Sequence, residues 1–255
     1  MTLALRAPVD TIYAPLFPPR LPWVNSPSQA ARKRGRPMLV EFWDFCRPNS
    51  LRTLPYLKAW HERYASAGLR TIGVHCPGFE PSRDEAAVRT AVARLDIRYP
   101  VLIDCDFEVW QEYGNEGWPA RYLFDGHGRL VEYHHGEGAY AETELAIQEL
   151  VGIELEPLPP LRAEDVPGAR VAAQSEDRPG VYCGPYAAGE VWAVLEGSGT
   201  VRADGGTGAP PVELGVDGPG AYQLIAHERH TAGVLELQLD SGVHCHATCF
   251  TPGVV

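Results

Sequence analysis

The stretch MLVEFWDFCRPNSLRTLPYL, Met38 to Leu57, decides the fold. Its first six residues are an almost unbroken apolar run of strand length, the pattern of a strand covered on both faces. Pro48-Asn49-Ser50 then supplies helix-start chemistry. Leu51, Leu54, Leu57, Trp60 or His61, and Tyr64 recur at helical spacing, and Gly68 is a natural stop. Pro55 falls inside this helix and should kink it. A buried strand feeding directly into an amphipathic helix is the opening of an α/β unit.

Working outward, LRTIGVHC (Leu69 to Cys76) reads as a second strand closed by Pro77-Gly78. Ser82-x-x-Glu85 is a capping box that opens a helix to about Leu95. YPVLID (Tyr99 to Asp104) is a short strand and Phe107 to Tyr113 a helical turn. Arg121 to Phe124 and Leu130 to His134 form a hairpin about the turn Asp125-Gly126-His127-Gly128. Glu142 to Val151 is a last helix. The order β-α-β-α-β-α-β-β-α predicts a sheet with helices on both faces. Residues 1 to 37, rich in Pro and Arg, read as a lead-in that wraps a domain surface.

The character of the chain changes after this region. A Pro- and Leu-rich linker, residues 153 to 175, leads into residues 176 to 255. There glycines are frequent and short β-type runs recur with turn signals between them: VWAVLEG, TVRA, AYQLIA, VLELQL and CHATCF. That spacing predicts a small all-β domain, a jelly-roll-like sandwich. Gly197-Ser198-Gly199 reads as a hairpin turn, and His227 and His230 as loop residues.

The chain has 255 residues and a net charge of −11, so nucleic acid and anionic membrane surfaces are excluded as main partners. The basic cluster Arg32-Lys33-Arg34-Gly35-Arg36 reads as a solvated loop. No stretch approaches the roughly 20 apolar residues of a membrane span. The N-terminus lacks the layout of a secretory signal, which points to a cytoplasmic protein. Six cysteines scattered along the chain fit that setting better than a disulfide-stapled miniprotein. Phosphate-binding glycine fingerprints and a G-x-S-x-G elbow are absent, and no cofactor is implied.

Several segments together resemble the TlpA/DipZ-like branch of the thioredoxin superfamily. They are Phe17-Pro-Pro with Leu-Pro-Trp23-Val-Asn25, then LVEFWDFC, GLRTIGVHCPGFE, and RYPVLIDCDFEVWQEYGNEGWPARYLFDGHGRLVEYHHGEG. The resemblance spans residues 1 to 152 in the family's order and implies a thioredoxin-like domain. In that family the Pro of the W-P-A segment is cis and lies beside a Cys-x-x-Cys dithiol, which implies that role for Pro119; Trp43 and Trp118 are candidate binding residues. The dithiol itself is missing. Counting from Trp43 and back from Pro55, its two positions hold Arg47 and Ser50; a one-residue gap instead aligns Cys46 with the attacking cysteine and Asn49 with the resolving one. Residues 176 to 255 are more loosely similar to the carbohydrate-module-like sandwich appended to DipZ-type proteins. That likeness implies partner recognition, with Trp192, Tyr182 and Tyr222 as groove or core aromatics.

Thiol–disulfide exchange needs a thiolate at a helix N-terminus and a second thiol to resolve the mixed disulfide. Cys46 sits near a helix start, and the fixed charge of Arg47 would favour its thiolate. In the family's sheet the strand ends bring Cys76 toward Cys46, so the two are a candidate redox-responsive pair, with Cys105 as the alternative partner. The competing reading makes all three buried small hydrophobes. Substrates would be proteins or small thiols; the rival function is a redox-inactive binding module. Glu41 and Asp44 flank the strand end without an evident acid–base pairing. No metal site is assigned. His244 and His246 could offer two ligands, but on a regular strand they face one way and Cys245 and Cys249 the other.

Overall fold

The computed structural model describes residues 12–26 and 35–255. The rest of the expected lead-in, with the basic residues Arg32, Lys33 and Arg34, lies outside the described residues. The chain divides into two compact units. The first runs to Asp44 and continues through Asn49–Pro77 and Arg83–Pro159; the second comprises Phe45–Pro48, Gly78–Ser82 and Pro160–Val255.

Among the described residues of the first unit, six strands form one sheet in the order β1-β4-β3-β2-β5-β6. They are β1 (Trp23–Val24), β2 (Met38–Trp43), β3 (Arg70–His75), β4 (Val101–Ile103), β5 (Ala120–Phe124) and β6 (Leu130–His135). β2, β3 and β4 are mutually parallel, whereas β1 runs antiparallel to β4, and β5 and β6 close the other edge as antiparallel neighbours. The helices are α1 (Pro48–Tyr64), α2 (Glu85–Arg94), α3 (Glu108–Glu112) and α4 (Tyr140–Val151). β1, two residues long, is too short to leave a periodic signal.

All six residues of β2 are buried, as a strand flanked on both sides and covered on both faces must be. Met38, Val40 and Phe42 join Ile72, Val74, Leu102, Tyr122 and Phe124 in the core on one face. Strand alternation sends Leu39, Glu41 and Trp43 to the other face. In α1 the buried Thr53, Tyr56, Leu57, Trp60 and Tyr64 follow helical spacing, while Pro55 sits within the helix on its exposed side. The Tyr56 ring stacks on Tyr140 of α4 at 3.8 Å between centroids. Truncating an aromatic in such a position costs about 3–5 kcal/mol.

One helix start differs from expectation. Asp84, not Ser82, caps α2, its carboxylate accepting from the Ala87 N–H at 3.0 Å. Ser82 instead donates to the Phe79 carbonyl at 2.9 Å, a local turn that takes its hydroxyl out of the capping competition.

The second unit contains five strands, β7 (Arg178–Pro179), β8 (Gly184–Asp204), β9 (Val212–Asp217), β10 (Gly220–Leu239) and β11 (Val243–Thr251). Their order is β10-β8-β11-β7, with β9 also paired to β8. Two features of this unit differ from expectation. Gly197-Ser198-Gly199 is not a hairpin turn: β8 runs through it, pairing with β11 up to Gly197 and with β9 from Ser198. Gly197 has φ +97°, and a Cβ there would lie 2.1 Å from the Gly242 carbonyl oxygen, so only glycine allows the two chains to approach. His227 and His230 lie within β10 rather than in a loop. Its register jumps from Ala226 opposite Glu190 to Thr231 opposite Ala188, so the segment carrying them bulges out of the ladder.

Candidate functional site

The carboxyl ends of β2, β3 and β4 meet at one edge of the first unit. The Cys76 N–H donates to the Trp43 carbonyl at 3.1 Å, and the Asp104 N–H donates to the His75 carbonyl at 2.9 Å. These bonds tie the three strand ends together and bring four chemically active side chains to one buried place: Asp44, His75, Cys76 and Asp104. His75 Nε2 lies 3.4 Å from Asp44 Oδ1, with both side chains fully buried. The His75 ring meets Trp43 edge to face at 5.2 Å.

Cys76 is part of the hydrophobic core, and its thiol points at Asp104 Oδ2 at 3.5 Å. Burial holds this thiol well above the usual range, and the nearby Asp104 and Asp44 carboxylates push it further the same way. Asp104 also holds the first turn of α3, accepting from the N–H groups of Glu108 at 2.8 Å and Trp110 at 2.9 Å. Burial raises its pKa against the opposing pull of those backbone donors. Cys105 donates to the Arg83 carbonyl at 3.1 Å. Burial raises its pKa, with Asp106, Asp104 and Glu85 adding to the effect. Both thiols are therefore held in the neutral form, which is a poor nucleophile.

Cys46 is buried and lies two residues ahead of the first residue of α1. The Arg47 guanidinium rests over the Phe79 ring, 4.7 Å from its centroid. Ser50 is buried, and its hydroxyl accepts from the Asp44 N–H at 3.2 Å, anchoring the chain between β2 and α1. Trp118 is half-buried; its indole N–H donates to the Cys76 carbonyl at 2.9 Å, and its ring lies 4.4 Å from Trp110. The Trp118–Pro119 peptide bond is cis, and the Pro119 carbonyl accepts from the Gly136 N–H at 2.8 Å. Trp43 is buried against the sheet. All six cysteines are thiols in this structure.

Glu41 has no role assigned from sequence, and its one signal there is that it is a lone carboxylate inside an otherwise apolar strand. It is 2% exposed and stands opposite Arg121 of β5. Neither of its carboxylate oxygens has a hydrogen-bond partner among the described residues. The Arg121 guanidinium is turned to the Gly138 carbonyl, at 2.6 Å, and toward the Tyr140 ring, at 5.1 Å. Burial pushes the Glu41 pKa up to about 8, with Arg121 offsetting only part of that shift.

No protein-family model matches the chain. Protein DipZ of Mycobacterium tuberculosis is 33% identical over 133 residues, which is 51% of this chain and 19% of DipZ. The chain thus spans about a fifth of that relative's length. Thiol-disulfide oxidoreductase YkuV of Bacillus subtilis is 27% identical over 115 residues, covering 45% of this chain and 77% of YkuV. Among solved structures, a thiol-disulfide isomerase from Corynebacterium glutamicum aligns with a TM-score of 0.50 at 22% identity, covering 57% of this chain and all of that one. Among the described residues, no helix is long and apolar enough to cross a membrane. The sheet order, the strand-to-helix segment and these likenesses together establish that the chain contains a thioredoxin-like domain, similar in sequence to thiol–disulfide oxidoreductases.

Proposed function

We propose that this chain carries out thiol–disulfide exchange or redox sensing through Cys46, acting as a single local thiol on protein or small-thiol substrates. The observation that carries this reading is the contrast among three thiols. Cys46, buried like Cys76, lies two residues ahead of α1 and next to Arg47, which also pairs with Asp177 at 3.8 Å, whereas burial and neighbouring carboxylates push the Cys76 and Cys105 thiols up. In the step proposed, the Cys46 thiolate attacks one sulfur of a substrate disulfide. The S–S bond breaks, a mixed disulfide forms on Cys46, and the other half leaves as a thiolate that takes up a proton. An external thiol then resolves the mixed disulfide and regenerates Cys46, so a substrate or small thiol replaces the missing local partner. In a cytoplasmic, reducing setting Cys46 returns to the thiol form after each encounter.

Mass spectrometry after incubation with oxidised glutathione tests this. One glutathione adduct mapping to Cys46 is expected, absent in Cys46→Ser and retained in Cys76→Ser. An adduct distribution unchanged by Cys46→Ser overturns the reading. It would favour a redox-inactive protein- or peptide-binding module that uses the groove beside Trp118 and Pro119 together with a jelly-roll-like sandwich. One observation already speaks for that second function: Ser50, at a position where a dithiol cysteine is expected, serves as a structural acceptor for the Asp44 N–H.

A further inference from the structure

We infer that Glu196 of β8 with His244 and His246 of β11 forms a binding site for one divalent transition-metal ion of the zinc class. His244 stands directly opposite Glu196 in the β8–β11 pairing. The next pairs are Cys245 with Leu195 and Ala247 with Val194, which leaves His246 as an extra residue in a bulge. A bulge re-aims side chains and reverses the strand's alternation beyond it. Cys245 and Phe250 accordingly both face the hydrophobic core of this unit, although regular alternation would put them on opposite faces. The bulge delivers His246 next to Glu196, with Nε2 3.0 Å from Oε1. The His244 and His246 rings lie 4.6 Å apart at 83°.

The ligand atoms of the three residues all lie within 4.8 Å of one another. An ion at their centre is then at most about 2.8 Å from each, against about 2.0–2.2 Å for Zn–N and Zn–O bonds. Small side-chain rotations close that gap. Two imidazoles and one carboxylate suit zinc, copper(II) or nickel rather than calcium or magnesium, and three protein ligands leave a fourth position for water. Solvent reaches the site, since the Glu196 side chain is 42% exposed and that of His246 18%. The nearby cysteine is not a ligand: the Cys245 thiol donates to the Ala247 carbonyl at 3.4 Å from within the core.

Cobalt(II) and zinc titrations of the full chain test the site. Saturable binding of one ion is expected, with cobalt d–d bands but no thiolate charge-transfer band. Affinity should fall more than about tenfold in His244→Ala and in Glu196→Gln, both at solvent-accessible positions, with unchanged far-UV circular dichroism. Magnesium and calcium should not compete. Absence of saturable binding by either metal, a thiolate band, or affinity unchanged in both variants would overturn the assignment and leave Glu196 and His246 as an ordinary surface contact.

Discussion

Replacing Glu41 with glutamine should change how the stability of the thioredoxin-like domain depends on pH. Glu41 has an ordinary value of 4.5 when unfolded and about 8 in the buried native site. Between those values the native state holds a proton that the unfolded state has released. Stability therefore falls as pH rises, by about 1.4 kcal/mol per pH unit. It is fully present below about pH 4.5 and its loss is complete above about pH 8. A glutamine side chain cannot ionise, so the Glu41→Gln variant escapes this loss. From pH 5 to pH 7.5 the variant should gain roughly 3 kcal/mol on the parent, and the difference should level off above about pH 8. Urea unfolding followed by tryptophan fluorescence measures it, because five of the six tryptophans belong to residues 1 to 152. Other titrating groups cancel in the comparison. A parent-minus-variant difference that stays flat from pH 5 to pH 8 would refute the reasoning, since it would mean that Glu41 is solvated or fully paired.

Three further outcomes are expected. Asn49→Cys places a second thiol three residues after Cys46 and should introduce insulin reductase activity if Cys46 occupies the attacking position; if instead only the double variant Arg47→Cys with Ser50→Cys is active, the ungapped alignment is correct. Asp104→Ala removes the acceptor for the Glu108 and Trp110 N–H groups and should destabilise the first unit by about 1–2 kcal/mol, read from the urea midpoint; an unchanged midpoint would show that water replaces the cap. Gly197→Ala forces a Cβ against the Gly242 carbonyl at a positive φ and should cost more than about 2 kcal/mol in the second unit, with Trp192 fluorescence as the reporter.

Much of the fold was legible in local sequence. The apolar run Met38 to Trp43, the spacing from Leu51 to Tyr64 and the turn at Asp125 to Gly128 each specify an element through neighbouring residues alone, and β2, α1 and the β5–β6 hairpin follow from them. Less was legible where one element depends on another. β1 exists because Trp23 and Val24 pair with β4, and β8 continues through Gly197 and Gly199 because β11 and β9 take up its successive halves. The candidate site divides the same way. Cys46 beside a helix start and the missing Cys-x-x-Cys can be read directly from the chain.

What the chain alone determined is thus the strand-to-helix succession and the absence of any Cys-x-x-Cys spacing, since periodicity, turn chemistry and cysteine spacing are properties of adjacent residues. The tertiary structure decided which charges are hidden and which side chains meet. Asp104 reaches Cys76, Glu41 loses its water, and a bulge brings His246 to Glu196. Desolvation and strand register arise only when distant segments pack, so no local pattern encodes them.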